Sequence, residues 1–94
     1  MGKSEMYIIS GNYFTLKFVM ALSATIKKIK SDCYIEFEGI SASLKNVIEL
    51  LKLCEIIPGK KVKISCFNDE YKNALRDLNE VRKLIEHDFT RTIE

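Results

Sequence analysis

The hydrophobic period of this chain switches repeatedly between two residues and about 3.6, and that switching leaves few ways to fold it. Residues 33 to 37 alternate strictly, with Cys33, Ile35 and Phe37 on one side and Tyr34 and Glu36 on the other. Val62, Ile64 and Cys66 do the same within 61 to 67, and Met6 to Ser10 reads as a further strand that the Gly11-Asn12 pair ends. From Thr15 to Lys30 the spacing changes: Val19, Leu22, Ile26 and Ile29 recur at helical steps, Phe18 and Thr25 flank them, and Lys27, Lys28 and Lys30 mark the solvated side. Glu38-Gly39 can turn the second strand into Ile40-Ser41-Ala42-Ser43, making a hairpin. Asn46 then caps a short helix of about two turns carrying Val47, Ile48, Leu50, Leu51 and Leu53, and Pro58-Gly59 ends the connection to the next strand. After Asn68-Asp69-Glu70 a last helix places Tyr71, Ala74, Leu75, Leu78, Val81 and Ile85 on one stripe.

The resulting order is βαββαβα. It predicts a two-layer α/β open-faced sandwich, with a four-stranded antiparallel sheet in the order 1-4-2-3 and three helices on one face. A right-handed crossover through the first helix leaves room for the fourth strand between the first and second. Ninety-four residues, 47% of them apolar or aromatic, supply one core, so residues 1–94 are read as a single domain without internal repeats.

Charge points to no particular partner class. Fifteen basic residues stand against 13 acidic, which gives no reason to expect nucleic acid. No segment has the length of a signal peptide's apolar region or of a membrane span, the run Leu16 to Leu22 being broken by Lys17, so the chain is read as cytosolic with no membrane partner. Cys33, Cys54 and Cys66 form an odd set without Cys-x-x-Cys spacing, which suits buried thiols better than a disulfide framework or zinc. His87, the single histidine, has no cluster of ligands spaced around it, and neither a metal nor another cofactor is expected.

Residues 13 to 18, Tyr-Phe-Thr-Leu-Lys-Phe, form the junction between the first strand and the first helix. The N–H groups of a helix's first turn lack partners and carry partial positive charge, so such a junction can seat an anion or a phosphorylated side chain. The residue there is Thr15, first of all a helix cap.

The element order, the run Thr25-Ile26-Lys27-Lys28-Ile29-Lys30-Ser31-Asp32, the Glu36-Phe37-Glu38-Gly39 hairpin, the helix Val47-Ile48-Glu49-Leu50-Leu51-Lys52-Leu53 and the Pro58-Gly59-x-x-Val-x-Ile lead-in together resemble HPr, the histidine-containing phosphocarrier family of the bacterial phosphotransferase system. The likeness covers about residues 5 to 86, with one extra residue around Glu55 to Pro58.

The resemblance implies a phosphocarrier site and places Tyr13 to Phe18 on the family's Gly-Leu-His-Ala-Arg-Pro segment. Thr15 then holds the phosphohistidine position, Lys17 the arginine position and Phe18 the proline position. A carrier needs an imidazole that is both nucleophile and leaving group near neutrality, whereas a threonine phosphoester would keep its phosphate. Lys17 keeps a charge without the bidentate fork of arginine, and Phe18 loses the pre-set helix start. Asn46 falls on the serine that a regulatory kinase modifies in many members, keeping the cap and losing the modification. Ser41 and Ser43, just upstream, are read as strand or turn residues.

A docking face is the other implied feature, formed in the family by the short second helix beside the active segment. The matching positions are Val47, Ile48 and Leu51, beside which Phe14, Leu16 and Met20 crowd the start of the first helix, where Lys17, also placed on this face, is the one charge between positions 13 and 22. These side chains either form surplus apolar surface for a partner or thicken a small core.

The leading expectation is a non-enzymatic, regulatory or adaptor protein that binds protein partners, either phosphotransferase components or a transcriptional regulator. Two alternatives remain open: a phosphotransfer component modified on Thr15 or His87 (or, at the kinase-site end, Ser43), and a self-associating domain that forms a homodimer through the apolar helix entrance and the tail. His87 itself falls near the end of the last helix, where the dipole favours a protonated imidazole. The tail, 87–94, alternates like a strand and could fray, extend the helix or pair with another chain.

Overall fold

Lys61–Asn68, where the alternation is strict, is the strand around which the sheet assembles in a computed structural model that describes residues 2–87. The elements are β1 (Gly2–Ile9), α1 (Leu16–Ile26), β2 (Asp32–Phe37), β3 (Ile40–Ser43), α2 (Val47–Leu50) continued by a 3-10 turn (Leu51–Leu53), β4 (Lys61–Asn68) and α3 (Tyr71–Glu86). Their sheet order is β1-β4-β2-β3 with antiparallel pairing throughout, the expected open-faced sandwich. The pairings Ile8 with Val62 and Ile35 with Ile64 set the register that turns the apolar side of every strand towards the helices. On the open face Lys63 bridges Glu5 at 3.2 Å and Glu36 at 3.6 Å, and its ammonium holds the Glu5 carboxyl below the usual carboxylate range.

The β2–β3 hairpin closes through Glu38 and Gly39, whose φ angles of 49° and 82° match the twist of a two-residue primed turn. The core gathers Val19, Leu22 and Ile26 of α1, Leu50 and Leu53 of the second helical segment, and Leu78, Val81 and Ile85 of α3 over the sheet. Leu44 and Ile56, on the loops at either end of that segment, are completely buried with them.

Several expectations need correction. β1 begins at Gly2 and ends at Ile9, rather than running from Met6 to Ser10. Its first half carries no apolar signal because its inward positions are Gly2 and Ser4; a Cβ on Gly2 would lie 2.5 Å from the Tyr71 Cα, so α3 occupies that space. α1 stops at Ile26 rather than Lys30, since Lys28 and Ile29 turn back to the carbonyls of Thr25 and Ile26 and tighten the last turn, leaving Ile29 half-buried. Tyr71 and Leu75 flank the stripe of α3 and are exposed, while the inward position between Ala74 and Leu78 is taken by a carboxylate, Asp77. Cys33 and Cys66 are buried as expected, but Cys54 is exposed at the end of the 3-10 turn. The strand-like alternation of 88–94 lies outside the described residues.

Asp77 is held rather than stranded. Its carboxylate accepts from the N–H and hydroxyl of buried Ser31, with Arg76 Nε 3.5 Å away, and Asn68 donates to the Ser31 hydroxyl at 3.0 Å. This cluster pins α3 to the start of β2 and the end of β4. Replacing Asp77 by alanine leaves the Ser31 N–H without an acceptor in the core, so D77A is expected to lose about 2 kcal/mol of stability. Urea unfolding at neutral pH checks this, with D77N, which retains an acceptor, falling between D77A and wild type.

Candidate functional site

The segment between β1 and α1 is fixed at both ends by backbone contacts. Ser10 donates to the Lys60 carbonyl and accepts from Gly59, each at 2.8 Å, and its hydroxyl is exchanged with the backbone of Asn12. Gly11 N–H donates to the Ile85 carbonyl at 3.0 Å, and the buried Asn12 amide reaches the carbonyls of both Ile85 and His87. Asn12 thus satisfies carbonyls at the end of α3 that have no partner within the helix. Gly11 is required by space: a Cβ there would sit 2.0 Å from the Glu86 carbonyl oxygen.

Phe14 follows as an anchor. Its ring is 2% exposed and meets Phe18 edge-on with centroids 5.2 Å apart, while its N–H donates to the Ile56 carbonyl at 3.1 Å. This corrects its placement on the docking face; Tyr13 takes the exposed position instead. The signal was present, because a hydrophobic residue just before an N-cap commonly folds onto the helix's first turn.

Thr15 caps α1 as expected. Its backbone is extended and its hydroxyl accepts the Phe18 N–H at 3.2 Å. The first turn holds no acidic residue and carries the exposed Lys17, so it brings no carboxylate of its own to the positive end of α1. Asn46 does the same work for α2, accepting from Glu49 N–H at 3.2 Å and donating to the Glu49 carboxylate at 3.0 Å. The other Glu49 oxygen accepts from Ser43 N–H, so this cap also ties α2 to the end of β3, and Ser41 and Ser43 lie on β3 as expected.

α1 and α2 pack against one another. Leu16 and Met20, one turn apart on α1, are each 55% exposed; Ile48 on α2 is 75% exposed, and Leu51 is exposed one turn further on. Val47 is half-buried against the core. Of the side chains expected at the docking face, Leu16, Lys17, Met20, Ile48 and Leu51 therefore face solvent, Val47 divides between surface and core, and Phe14 is wholly core.

His87 ends α3, its N–H donating to the Lys83 carbonyl at 3.2 Å. Through Asn12 its backbone lies beside the segment that leads to Thr15, a neighbourhood that sequence spacing gave no means of seeing.

No family profile matches this chain, and no curated protein sequence matches it. Solved structures do. A phosphocarrier protein HPr from Bacillus anthracis str. Ames superposes with a TM-score of 0.78 at 13% identity, covering 90% of this chain and 99% of that one. HPr-C-His from Thermoanaerobacter tengcongensis gives a TM-score of 0.63 at 18% identity, covering 88% and 92%. The chain has the HPr fold. Among the described residues, no helix is long and apolar enough to cross a membrane.

Two substitutions separate anchor from cap. G11A is expected to lose about 1–3 kcal/mol, because the methyl group must displace the segment from α3. T15A is expected to lose about 1 kcal/mol, the value of a helix cap. Thermal or urea unfolding measures both, and amide exchange should speed up at Gly11 and Asn12 in G11A but at Phe18 in T15A.

Proposed function

We propose that this chain is an HPr-fold protein that carries no phosphohistidine and acts as a regulatory or adaptor protein through the apolar face of α1 and α2. One combination carries the reading: Thr15, at the place the resemblance assigns to the nucleophile, has its hydroxyl engaged in capping, while Leu16 and Met20 on α1 and Ile48 and Leu51 on the helical segment packed against it are exposed. Threonine offers no group that both takes and releases phosphate near neutrality. The apolar side chains offer a partner surface that needs no phosphate, with Lys17 on its border. The partners are proteins, by the resemblance phosphotransferase components or a transcriptional regulator, and the working compartment is the bacterial cytoplasm. Asn46 closes the route by which a kinase would regulate the second helix.

A second reading, phosphorylation at Thr15 or His87, draws on the Asn12 clasp that brings the histidine's backbone beside the junction. Against it stands the position of His87 at the negative end of α3, which opposes a phosphoryl group.

The two readings part in one experiment. The protein is incubated with phosphoenolpyruvate, enzyme I and the phosphocarrier of its own cells, and its intact mass is taken without acid. An unchanged mass is expected, and a stoichiometric gain of one phosphate overturns the adaptor reading. In parallel, a pull-down with wild type and I48D, matched by circular dichroism, should show a partner retained only by wild type. Equal retention removes α2 from the interface.

A further inference from the structure

Two of the three thiols face each other across the middle of the sheet. Cys33 on β2 and Cys66 on β4 are direct cross-strand partners on the inner face, and each is essentially inaccessible to solvent. Neither is bonded to the other, both being free thiols.

The type of pair follows from the ladder on the far side of β2. Leu44 N–H donates to the Cys33 carbonyl at 2.9 Å, so the backbone polar groups of Cys33 point towards the β3 side. The N–H and C=O of one strand residue lie on the same edge, which makes Cys33 and Cys66 a non-hydrogen-bonded pair across β2 and β4. In such pairs the Cα atoms approach to about 4.5 Å and the side chains are closest. That separation lies at the short end of the range of about 4.4–6.8 Å that a disulfide spans.

From this register we propose that Cys33 and Cys66 are a two-electron redox pair, closing a disulfide between the two central strands by exchange with a low-molecular-weight disulfide such as glutathione disulfide. One protein thiolate attacks the glutathione disulfide, forming a mixed disulfide and releasing one glutathione, which takes up the proton. The second cysteine attacks the protein sulfur of that mixed disulfide and releases the second glutathione. The protein loses two hydrogens, and one glutathione disulfide becomes two glutathiones.

The surroundings set the rate. A side-chain hydrogen bond with Cys33 pushes the Cys66 thiol upward, and burial and the Asp77 charge act in the same direction. Cys33 in turn donates its S–H to the Ser31 carbonyl at 3.7 Å, beneath the cluster that holds α3. Attack therefore waits for the sheet or α3 to open, and Cys54, exposed at the end of the 3-10 turn, reacts first with any added reagent without taking part.

The test uses the full chain with C54S, equilibrated in glutathione redox buffers at rising urea, so that opening does not limit exchange near the unfolding midpoint. Whatever favours the disulfide in the folded state raises folded-state stability by the same factor. The ratio of disulfide to dithiol is expected to be at least tenfold higher in folded than in fully unfolded protein. Intact mass should fall by about 2 Da, the mass of the two hydrogens lost, and unreduced peptide mapping should link Cys33 to Cys66. A ratio equal to or below that of the unfolded chain, or a folded product that stops at the mixed disulfide, overturns the proposal. C33A with C54S, which leaves Cys66 alone, should show no such mass loss.

Discussion

The docking of Gly11 and Asn12 onto the end of α3 is the contact on which the rest of this surface depends. Gly11 and Asn12 bind carbonyls that the helix leaves open, so the same bonds finish α3 and fix where α1 begins. Phe14 then inserts below the Ile56 loop and determines the direction in which α1 leaves. With those points set, Thr15 falls at the N-cap and Leu16 and Met20 fall outside, on the helix that packs against α2. The local conformation owes little to the identity of the residue at position 15, since any good cap would hold it.

This separation of scaffold from side-chain chemistry fits a fold shared with HPr structures at 13–18% identity. What the fold requires is apolar volume at alternating strand positions, a cap at the starts of α1 and α2, and small residues where backbones touch. Threonine and asparagine meet the cap requirement at positions 15 and 46, and glycine meets the contact requirement at 2 and 11. None of these requirements calls for an imidazole or a phosphorylatable serine.

Legibility in the sequence followed the same division. β2, β3, β4 and the Asn46 cap were readable because their signals are local: alternation, turn residues, an oxygen before an apolar run. The first half of β1 was not, because its inward residues are small and its pairing with β4 is a distant contact. Asp77 was invisible for a related reason: a carboxylate on a helix reads as solvated until Ser31, far away in sequence, supplies the donors. Phe14 was placed on the docking face because its apolar character was weighed without its position just before the Thr15 cap, which folds it inward. His87 beside Gly11 is likewise a tertiary fact, carried by one buried asparagine.

Whether the apolar side chains at the start of α1 belong to core or surface is decided by helix geometry. Phe18, Val19, Leu22 and Ile26 already fill the inward stripe of α1, and Leu50 and Leu53 fill that of the next helical segment. A helix has one such stripe, so Leu16 and Met20 cannot join it without driving Val19 or Leu22 out. Leu51 and Ile48 meet the same limit beside Leu50. Burying one side chain of this kind is worth roughly 1.5–3 kcal/mol, so the cluster holds several kcal/mol that only another surface can release. Part of that is lost to ordering and to the freedom given up on association. On the adaptor reading proposed above, what remains favours a partner that covers Leu16 and Met20 together with Ile48 and Leu51, rather than one helix alone.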